Sequence, residues 1–270
     1  MNKSLIKLLS TLFPRFVVSF AYKQLTNPQI KKLRKHELAL LNKAKIEDFA
    51  FQGFNIKLYK WGEGKEEVLL IHGWEGQAGN FTDLIEVLLE NGYKVHAFDA
   101  PSHGYSSVGK TSLFEFTELV AVLIKRFEVK KLVSHSFGGV ATTYALFANQ
   151  DIHIDKYCLL TTPDKFIERI DEVAEFTGIT DKVKNLLIAK LIEETKEDIY
   201  ALNVSDFVKH INVQKALIIH DRNDKVIPIG RSKNVQQNWP QATFEEIEGT
   251  GHFRILRDQS VIKTVIEFLN

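Results

Sequence analysis

One serine in the chain stands in a setting that could make it a nucleophile. Ser136 lies in the run 134–139, Ser-His-Ser-Phe-Gly-Gly, between a short apolar segment and an amphipathic one. A sharp strand-to-helix turn exposes such a hydroxyl, and its neighbours must be small so that the helix can pack against the strand. Gly138 and Gly139 meet this need, whereas Ser134 replaces the usual glycine and should be accepted with some strain. Alone, the motif is as often a serine-capped helix start, so its interpretation depends on the other turns.

A histidine and an aspartate follow Ser136 in an order that a catalytic triad could use. His252 lies in a glycine turn, 249–252, and the glycines allow the loop to project the imidazole. Asp224 lies in a polar turn that follows the apolar run 217–219. We expect His252 to be the general base and Asp224 to orient it, in the chain order Ser, Asp, His.

The apolar run 68–71 ends in His72, Gly73 and Trp74, a turn that could help to bind an oxyanion. In such sites one backbone N–H comes from this loop and another from the residue after the nucleophile. The predicted donors are therefore the backbone N–H groups of Trp74 and Phe137. We expect His72 to brace the loop, because His252 is better placed to act as the base.

Other polar residues near these turns have alternative interpretations. Asp221 stands at a predicted strand end and is the weaker candidate for the acid, and Asp164 would supply the acid only in a rarer arrangement. Asp99 and His103 lie in a turn that contains Pro101 and Gly104, and we expect the polar groups of this turn to satisfy one another. His220 is interpreted as an ordinary hydrogen-bonding partner within its own loop, without a catalytic role.

Short apolar runs alternate with amphipathic segments from about residue 46 onward. This alternation predicts the strands and helices that position the turns described above. The predicted strands are 46–53, 54–61, 68–71, 94–98, 132–134, 157–160, 216–219 and 244–248. The predicted helices between them are 81–90, 113–127, 140–149 and 261–269. The pattern predicts an α/β fold: a leading hairpin and a mostly parallel eight-stranded sheet with helices on both faces.

Segments 46–162 and 213–270 are predicted to form one core, interrupted by an insertion. Segment 163–212 has helical pattern and no strand, which favours a helical cap over extra packing helices that do not contact substrate. Segment 1–45 is predicted to be an N-terminal helical extension. Its apolar start favours an ordinary packing helix over an interfacial amphipathic helix or a signal peptide. Pro14 and Arg15 interrupt the apolar run, and no small-residue cleavage site follows.

Composition excludes several classes of partner. The 270 residues carry 35 Lys and Arg against 34 Asp and Glu, so the net charge of +1 produces no field strong enough to favour nucleic acid or an anionic membrane surface as a partner. Cys158 is the single cysteine, which excludes an intrachain disulfide and fits a cytoplasmic location. There is no phosphate-binding G-x-x-x-x-G-K-[ST] loop and no clustered metal-ligand pattern, so neither a cofactor nor a metal is implied.

Over about residues 46–270, these turns and strands resemble the α/β-hydrolase superfamily. More narrowly, the chain is similar to a bacterial group of functionally undefined α/β hydrolases through the motifs WGEG (61–64), HGWEG (72–76), DAPSHG (99–104), WP (239–240) and GHFRILRD (251–258). The sequence departs from that group at Gln77 and Phe253, where arginine is common, and at Ser134. Substrate contacts cannot be transferred to these positions.

The predicted function is hydrolysis of a carboxylic ester or thioester of a small or medium apolar substrate through an acyl-enzyme on Ser136. Serine at position 136, in the strand-to-helix turn, excludes the chemistries that use an aspartate nucleophile at that position. The alternatives are acyl transfer to an alcohol and a binding protein of the same fold that has lost turnover. The sequence leaves the substrate and the oligomeric state open.

Overall fold

The computed structural model describes residues 3–28 and 32–270. Its strands are β1 (Lys45–Phe51), β2 (Phe54–Trp61), β3 (Glu66–Ile71), β4 (Tyr93–Asp99), β5 (Lys131–His135), β6 (Ile154–Leu160), β7 (Val213–Asp221) and β8 (Ala242–Ile247). Its helices are α1 (Lys3–Leu12), α2 (Pro14–Thr26), α3 (Lys35–Leu41), α4 (Thr82–Glu90), α5 (Leu113–Phe127), α6 (Phe137–Ala148), α7 (Phe166–Thr177), α8 (Asp181–Thr195), α9 (Val204–Phe207), α10 (Ile229–Gln237), α11 (Gly251–Arg254) and α12 (Gln259–Leu269).

The eight strands form one sheet in the order β1-β2-β4-β3-β5-β6-β7-β8. The β1–β2 and β2–β4 pairs are antiparallel, and the other pairs are parallel. Gln52 and Gly53 connect the leading hairpin at φ values of 45° and 81°, which suit the right-handed twist of paired strands. The predicted α/β fold with a mostly parallel eight-stranded sheet is confirmed.

The central strands are buried on both faces, which explains why they appear in the sequence as short continuous apolar runs. On one face, Leu70, Val133, Cys158 and Ile219 join a core to which α4 and α12 contribute. The alternate side chains, which include Leu69 and Ile218, are 0% exposed as well. Parallel strands covered in this way end at a common edge, where their following loops meet.

The chain divides into two compact units. The described part of Met1–Pro28 forms one unit with Lys165–Asn203, and Gln29–Asp164 with Val204–Asn270 forms the other, which contains the sheet. In the first unit, the Tyr22 hydroxyl of α2 donates to Glu194 of α8, and the Lys190 ammonium lies 4.8 Å from the Tyr22 ring centroid. Helices from the N-terminal segment and from the segment interpreted as a cap therefore share one unit.

Helix α6 approaches β3 so closely that one position between them must be glycine. A Cβ atom on Gly138 would stand 2.5 Å from the carbonyl oxygen of His72 and 2.6 Å from that of Ile71. Both oxygens belong to the backbone and cannot move aside as a flexible side chain could.

Gly138→Ala should therefore destabilise the sheet unit, because the methyl group must push α6 away from β3. We expect the free energy of unfolding from urea titration to fall by about 1–3 kcal/mol. Gly230→Ala in α10 is the matched control, since its Cβ would meet nothing within 4 Å. Equal losses in the two variants would contradict the packing explanation.

Candidate active site

Ser136 occupies the turn between β5 and α6 in a strained backbone conformation. Its φ is 53° and its ψ is −124°. Holding a non-glycine residue in a sparsely populated region of φ and ψ costs on the order of 1–3 kcal/mol of folding free energy, and such a conformation persists only where the surrounding structure imposes it. Here the Ser136 N–H donates to the carbonyl of Leu160 on β6 at 2.9 Å, and α6 begins at the next residue.

The strain expected at Ser134 is not observed, and that expectation is wrong. Ser134 is a regular residue of β5 and is absent from the positive-φ positions of the described residues. Its buried hydroxyl shares a hydrogen bond of 2.8 Å with the Tyr157 hydroxyl of β6. A serine is accommodated there because it has a polar partner, and the strain lies two residues later.

The three residues predicted to form a triad lie in one chain of hydrogen bonds. The Ser136 hydroxyl lies 3.0 Å from Nε2 of His252, and Nδ1 of His252 lies 2.8 Å from Oδ2 of Asp224. Because a carboxylate only accepts hydrogen bonds, Nδ1 carries a proton, and Nε2 of the neutral ring can accept the serine proton. His252 is 6% exposed, in the short helix α11.

Asp224 is held and kept ionised by its loop. Its Oδ1 accepts the backbone N–H groups of Val226 at 2.7 Å and Ile227 at 2.9 Å. Burial by itself raises the pKa of Asp224, but the nearby His220 imidazole and the hydrogen bond from His252 outweigh burial and hold the pKa well below its usual range. The carboxylate is therefore charged at neutral pH, as an orienting acid must be.

Asp221 has a positioning role that the sequence analysis does not identify. It is 0% exposed at the end of β7 and accepts hydrogen bonds from the Thr250 and Gly251 backbone N–H groups and from the Thr250 hydroxyl. Burial raises the pKa of Asp221, yet these donors lower it more. Asp221 thus fixes the loop just before His252, while Asp224 contacts the imidazole.

His135 supports His252 from the other side. Its Nε2 donates to the backbone carbonyl of His252 at 2.9 Å, and the two rings lie 4.9 Å apart between centroids. Burial and the nearby His252 ring lower the pKa of His135 to about 3. His135 is therefore neutral at ordinary pH, and a donor to the histidine loop.

The remaining candidate acids and histidines are engaged elsewhere. Asp164 accepts the backbone N–H of Ser205 at 2.9 Å and the side-chain amide of Asn234 at 2.6 Å. His220 lies with Nδ1 2.7 Å from the Ser232 hydroxyl and donates through Nε2 to the carbonyl of Ile227 at 2.9 Å. Its Nε2 also lies 3.5 Å from Oδ2 of Asp224, so His220 supports the acid loop.

The turn after β3 lies directly against Ser136. A Cβ atom on Gly73 would stand 3.1 Å from Cβ of Ser136 and 3.5 Å from the backbone nitrogen of Phe137. Phe137 is the first residue of α6, so its N–H has no acceptor within the helix. The predicted oxyanion donors, Trp74 and Phe137, therefore belong to backbone segments that flank the nucleophile.

His72 joins two loops at this end of the sheet. Its Nδ1 donates to the carbonyl of Gly73 at 2.7 Å, and its Nε2 accepts the N–H of Ala100 at 3.0 Å. Burial, together with His103 nearby, keeps the pKa of His72 well below the usual value. The Asp99 carboxylate accepts the N–H groups of Ala78 and Tyr105, and His103 donates from Nδ1 to the carbonyl of Pro101.

Exposed or partly exposed aromatic side chains come next in the chain to Gly73, Ser136 and His252. The Trp74 ring meets the Phe137 ring edge-on at 5.3 Å, and both side chains are partly exposed. Phe253 is 64% exposed and packs edge-on against the His252 ring at 4.9 Å. Partly or largely exposed aromatic rings therefore lie beside the turn of Ser136 and the loop of His252.

Comparisons with known proteins agree with this architecture. A family model described as the alpha/beta hydrolase fold matches residues 67–177. A serine hydrolase-like protein of Danio rerio is 22% identical, and the alignment covers 77% of this chain and 83% of that protein.

Two solved structures are similar in fold. An esterase from Exiguobacterium antarcticum has a TM-score of 0.66 at 18% identity and covers 82% of this chain and 98% of its own. The thioesterase domain from the curacin biosynthetic pathway has a TM-score of 0.60 at 17% identity and covers 83% of this chain and 99% of its own. At these identities the likeness is one of fold.

His135→Gln tests the buried neutral histidine through the pH dependence of stability. The folded pKa of about 3 lies below the roughly 6.5 of an unperturbed histidine, so between these values the unfolded chain binds the extra proton. Stability is therefore lost as pH falls from 7 to 4. The variant retains an N–H donor but has no ring to protonate. Between pH 7 and pH 4 its free energy of unfolding, from urea titrations, should fall by up to about 3 kcal/mol less than that of the wild type.

His153→Gln is the control, because the His153 side chain is 47% exposed. It should follow the wild-type dependence of stability on pH. If His135→Gln followed it as well, the buried ring would not be the source of the acid sensitivity.

Proposed function

We propose that this chain, which belongs to the α/β-hydrolase superfamily, is a serine hydrolase that cleaves carboxylic esters or thioesters of small or medium apolar substrates. The observation that carries the proposal is the hydrogen-bond chain from Ser136 through His252 to Asp224, with lengths of 3.0 Å and 2.8 Å. A nucleophile, a base within reach of it and a third group that orients the base are the parts that acyl transfer requires.

In the first half of the proposed reaction, Oγ of Ser136 attacks the acyl carbon and its proton moves to Nε2 of His252. Asp224, through Nδ1, stabilises the imidazolium that forms. The tetrahedral intermediate then collapses, the bond from the acyl carbon to the leaving oxygen or sulfur breaks, and His252 protonates the leaving group. The product of this half-reaction is an acyl-enzyme on Ser136.

The developing oxyanion needs donors that are already oriented toward it. We assign this role to the backbone N–H groups of Phe137 and Trp74, since Phe137 opens α6 and Gly73 lies against the nucleophile. Fixed peptide dipoles need little reorganisation when the charge appears. Removing one such donor typically costs about 10²–10³-fold in rate.

In the second half of the reaction, His252 takes a proton from water, and the resulting nucleophile attacks the acyl carbon of the acyl-enzyme. The bond to Oγ of Ser136 breaks, a carboxylic acid leaves, and the serine recovers its proton from His252. An alcohol in place of water would give acyl transfer by the same steps. The choice between the two acceptors depends on which one reaches the acyl-enzyme.

An apolar substrate is favoured by the side chains beside Ser136. Trp74, Phe137 and Phe253 present partly or largely exposed rings, and a hydrocarbon group bound against them would be removed from water. We therefore expect activity to rise from acetyl to medium-chain acyl groups.

The test is turnover of p-nitrophenyl esters and acyl thioesters of graded chain length. Ser136→Ala should lower kcat by about 10⁶-fold, since nucleophilic catalysis is lost. Asp224→Asn should lower kcat by about 10⁴-fold, because Nδ1 loses its carboxylate partner and the imidazolium loses its stabilising charge.

Asp151→Asn is the matched control, since the Asp151 side chain is 70% exposed on the surface, and it should leave kcat unchanged. Circular dichroism verifies that each variant is folded. Ester formation with an added alcohol, faster than acid release, would favour the acyltransferase. A folded wild-type protein that turned over no ester or thioester would contradict the proposal and favour a binding protein.

A further inference from the structure

Helices α1 and α2, together with Phe13 between them, expose five large apolar side chains, here called the apolar stripe. Its members are Leu5 at 50% exposed, Leu8 at 55%, Leu12 at 60%, Phe13 at 59% and Phe16 at 67%. Leu5, Leu8 and Leu12 follow the three- and four-residue spacing of one helical face. Single exposed apolar residues are ordinary on a protein surface, but five large ones between residues 5 and 16 favour a contact surface.

The two helices use other faces to pack within their own unit. In α1 the buried residues are Ile6 and Ser10, and in α2 they include Val17, Val18 and Ala21. The residues needed for internal packing are thus distinct from the stripe. The packing role favoured by the sequence explains Ile6 and Val17, and leaves the stripe without a function.

In the sequence, the charged residues of the N-terminal segment that carries the stripe all have one sign. Before Glu37 the chain carries eight Lys and Arg and no Asp or Glu, whereas the residues from Glu37 onward carry 27 Lys and Arg against 34 Asp and Glu. The near-neutral total therefore conceals a strongly cationic N-terminal segment. Such an asymmetry favours an anionic surface as the partner of this segment.

Four of these cations belong to the helices that carry the stripe. Lys3, Lys7, Arg15 and Lys23 are all exposed. Within residues 3–28 and 32–270, none of the four forms an ion pair with a carboxylate. Arg15 lies between Phe13 and Phe16 in the sequence, so a cation and two aromatic rings occur together where α1 meets α2.

We propose that the apolar stripe docks on the surface of an anionic lipid bilayer. The leucine and phenylalanine side chains would enter the boundary between headgroups and acyl chains, and the lysine and arginine side chains would extend to the lipid phosphates. The helices would lie on the membrane, since no helix in the described parts of the chain is long and apolar enough to cross it. This proposal is independent of the proposed hydrolase activity.

A second copy of the chain is a poorer partner for the same face. A two-fold dimer would bring the same patch of both copies together, so the exposed cations of α1 and α2 would lie near those of the partner copy. Like charges brought together in this way oppose association. A bilayer rich in anionic lipid satisfies the apolar and the cationic side chains together.

Co-sedimentation of the full chain with extruded vesicles tests the proposal. One set of vesicles contains equal amounts of phosphatidylglycerol and phosphatidylcholine, and the other contains phosphatidylcholine alone. We expect at least tenfold stronger binding to the anionic vesicles, weakened by 0.5 M NaCl. The double variant Leu8→Ser, Phe16→Ser should bind at least tenfold more weakly. The double variant Lys7→Gln, Arg15→Gln should lose affinity for the anionic vesicles by about fivefold for each residue replaced, because each cation near an anionic membrane surface contributes about 1 kcal/mol.

Val108→Ser is the matched control, since it removes a side chain that is 76% exposed outside α1 and α2, and it should bind like wild type. Circular dichroism verifies that each variant is folded, and ester hydrolysis is assayed separately, so a failed membrane proposal is distinguishable from a failed function. Equal binding by wild type and the Leu8→Ser, Phe16→Ser variant, or no binding to anionic vesicles, would overturn the proposal. Dissociation of a lipid-free dimer by that variant, measured by light scattering, would instead assign the face to a second copy.

Discussion

Ser136 is held at a positive φ between β5 and α6 by close approaches of backbone on both sides. On one side its N–H donates to Leu160 of β6, and on the other Gly138 packs against the carbonyl oxygens at the end of β3. These contacts direct the side chain of Ser136 away from the sheet and place the first N–H of α6 beside it. The proposed nucleophile and one proposed oxyanion donor are therefore positioned by the same turn.

His252, the proposed base, is positioned by a second set of constraints, most of them polar and buried. Asp221 fixes the backbone before His252, His135 donates to the carbonyl of His252 itself, and Asp224 orients the imidazole. Buried charges are costly unless hydrogen bonds compensate them, and both carboxylates receive backbone N–H groups. Loss of one member would therefore displace the histidine as well as remove a contact.

Much of the sheet unit was predictable because its sequence signals are local. Central strands produce apolar runs, and the turns that follow them contain the glycines, histidines and aspartates of the site. The predicted start of α6 at Val140 is three residues late, because no apolar period marks a helix that begins immediately after the serine. Helix α10 was not predicted, since its buried residues are only Ser232 and Val235 and its sequence has no apolar stripe.

The supporting residues were harder to identify for a different reason. His135 bonds to the backbone of a residue 117 positions away, and Asp221 bonds to backbone 29 and 30 positions away. A backbone partner leaves no trace in the residue types of either segment. The exposed stripe of α1 and α2 was also ambiguous, because an amphipathic helix has the same pattern whether its apolar face is buried or exposed.

The central claim is that Ser136 is an activated nucleophile, and a fluorophosphonate probe with intact-mass and peptide mapping tests it most directly. The account predicts one adduct per chain, confined to the peptide that contains Ser136. The adduct should be absent from Ser136→Ala and should form far more slowly in His252→Ala, since the serine then lacks its base. A folded wild-type protein that remained unlabelled, or that was labelled equally fast without His252, would contradict the account.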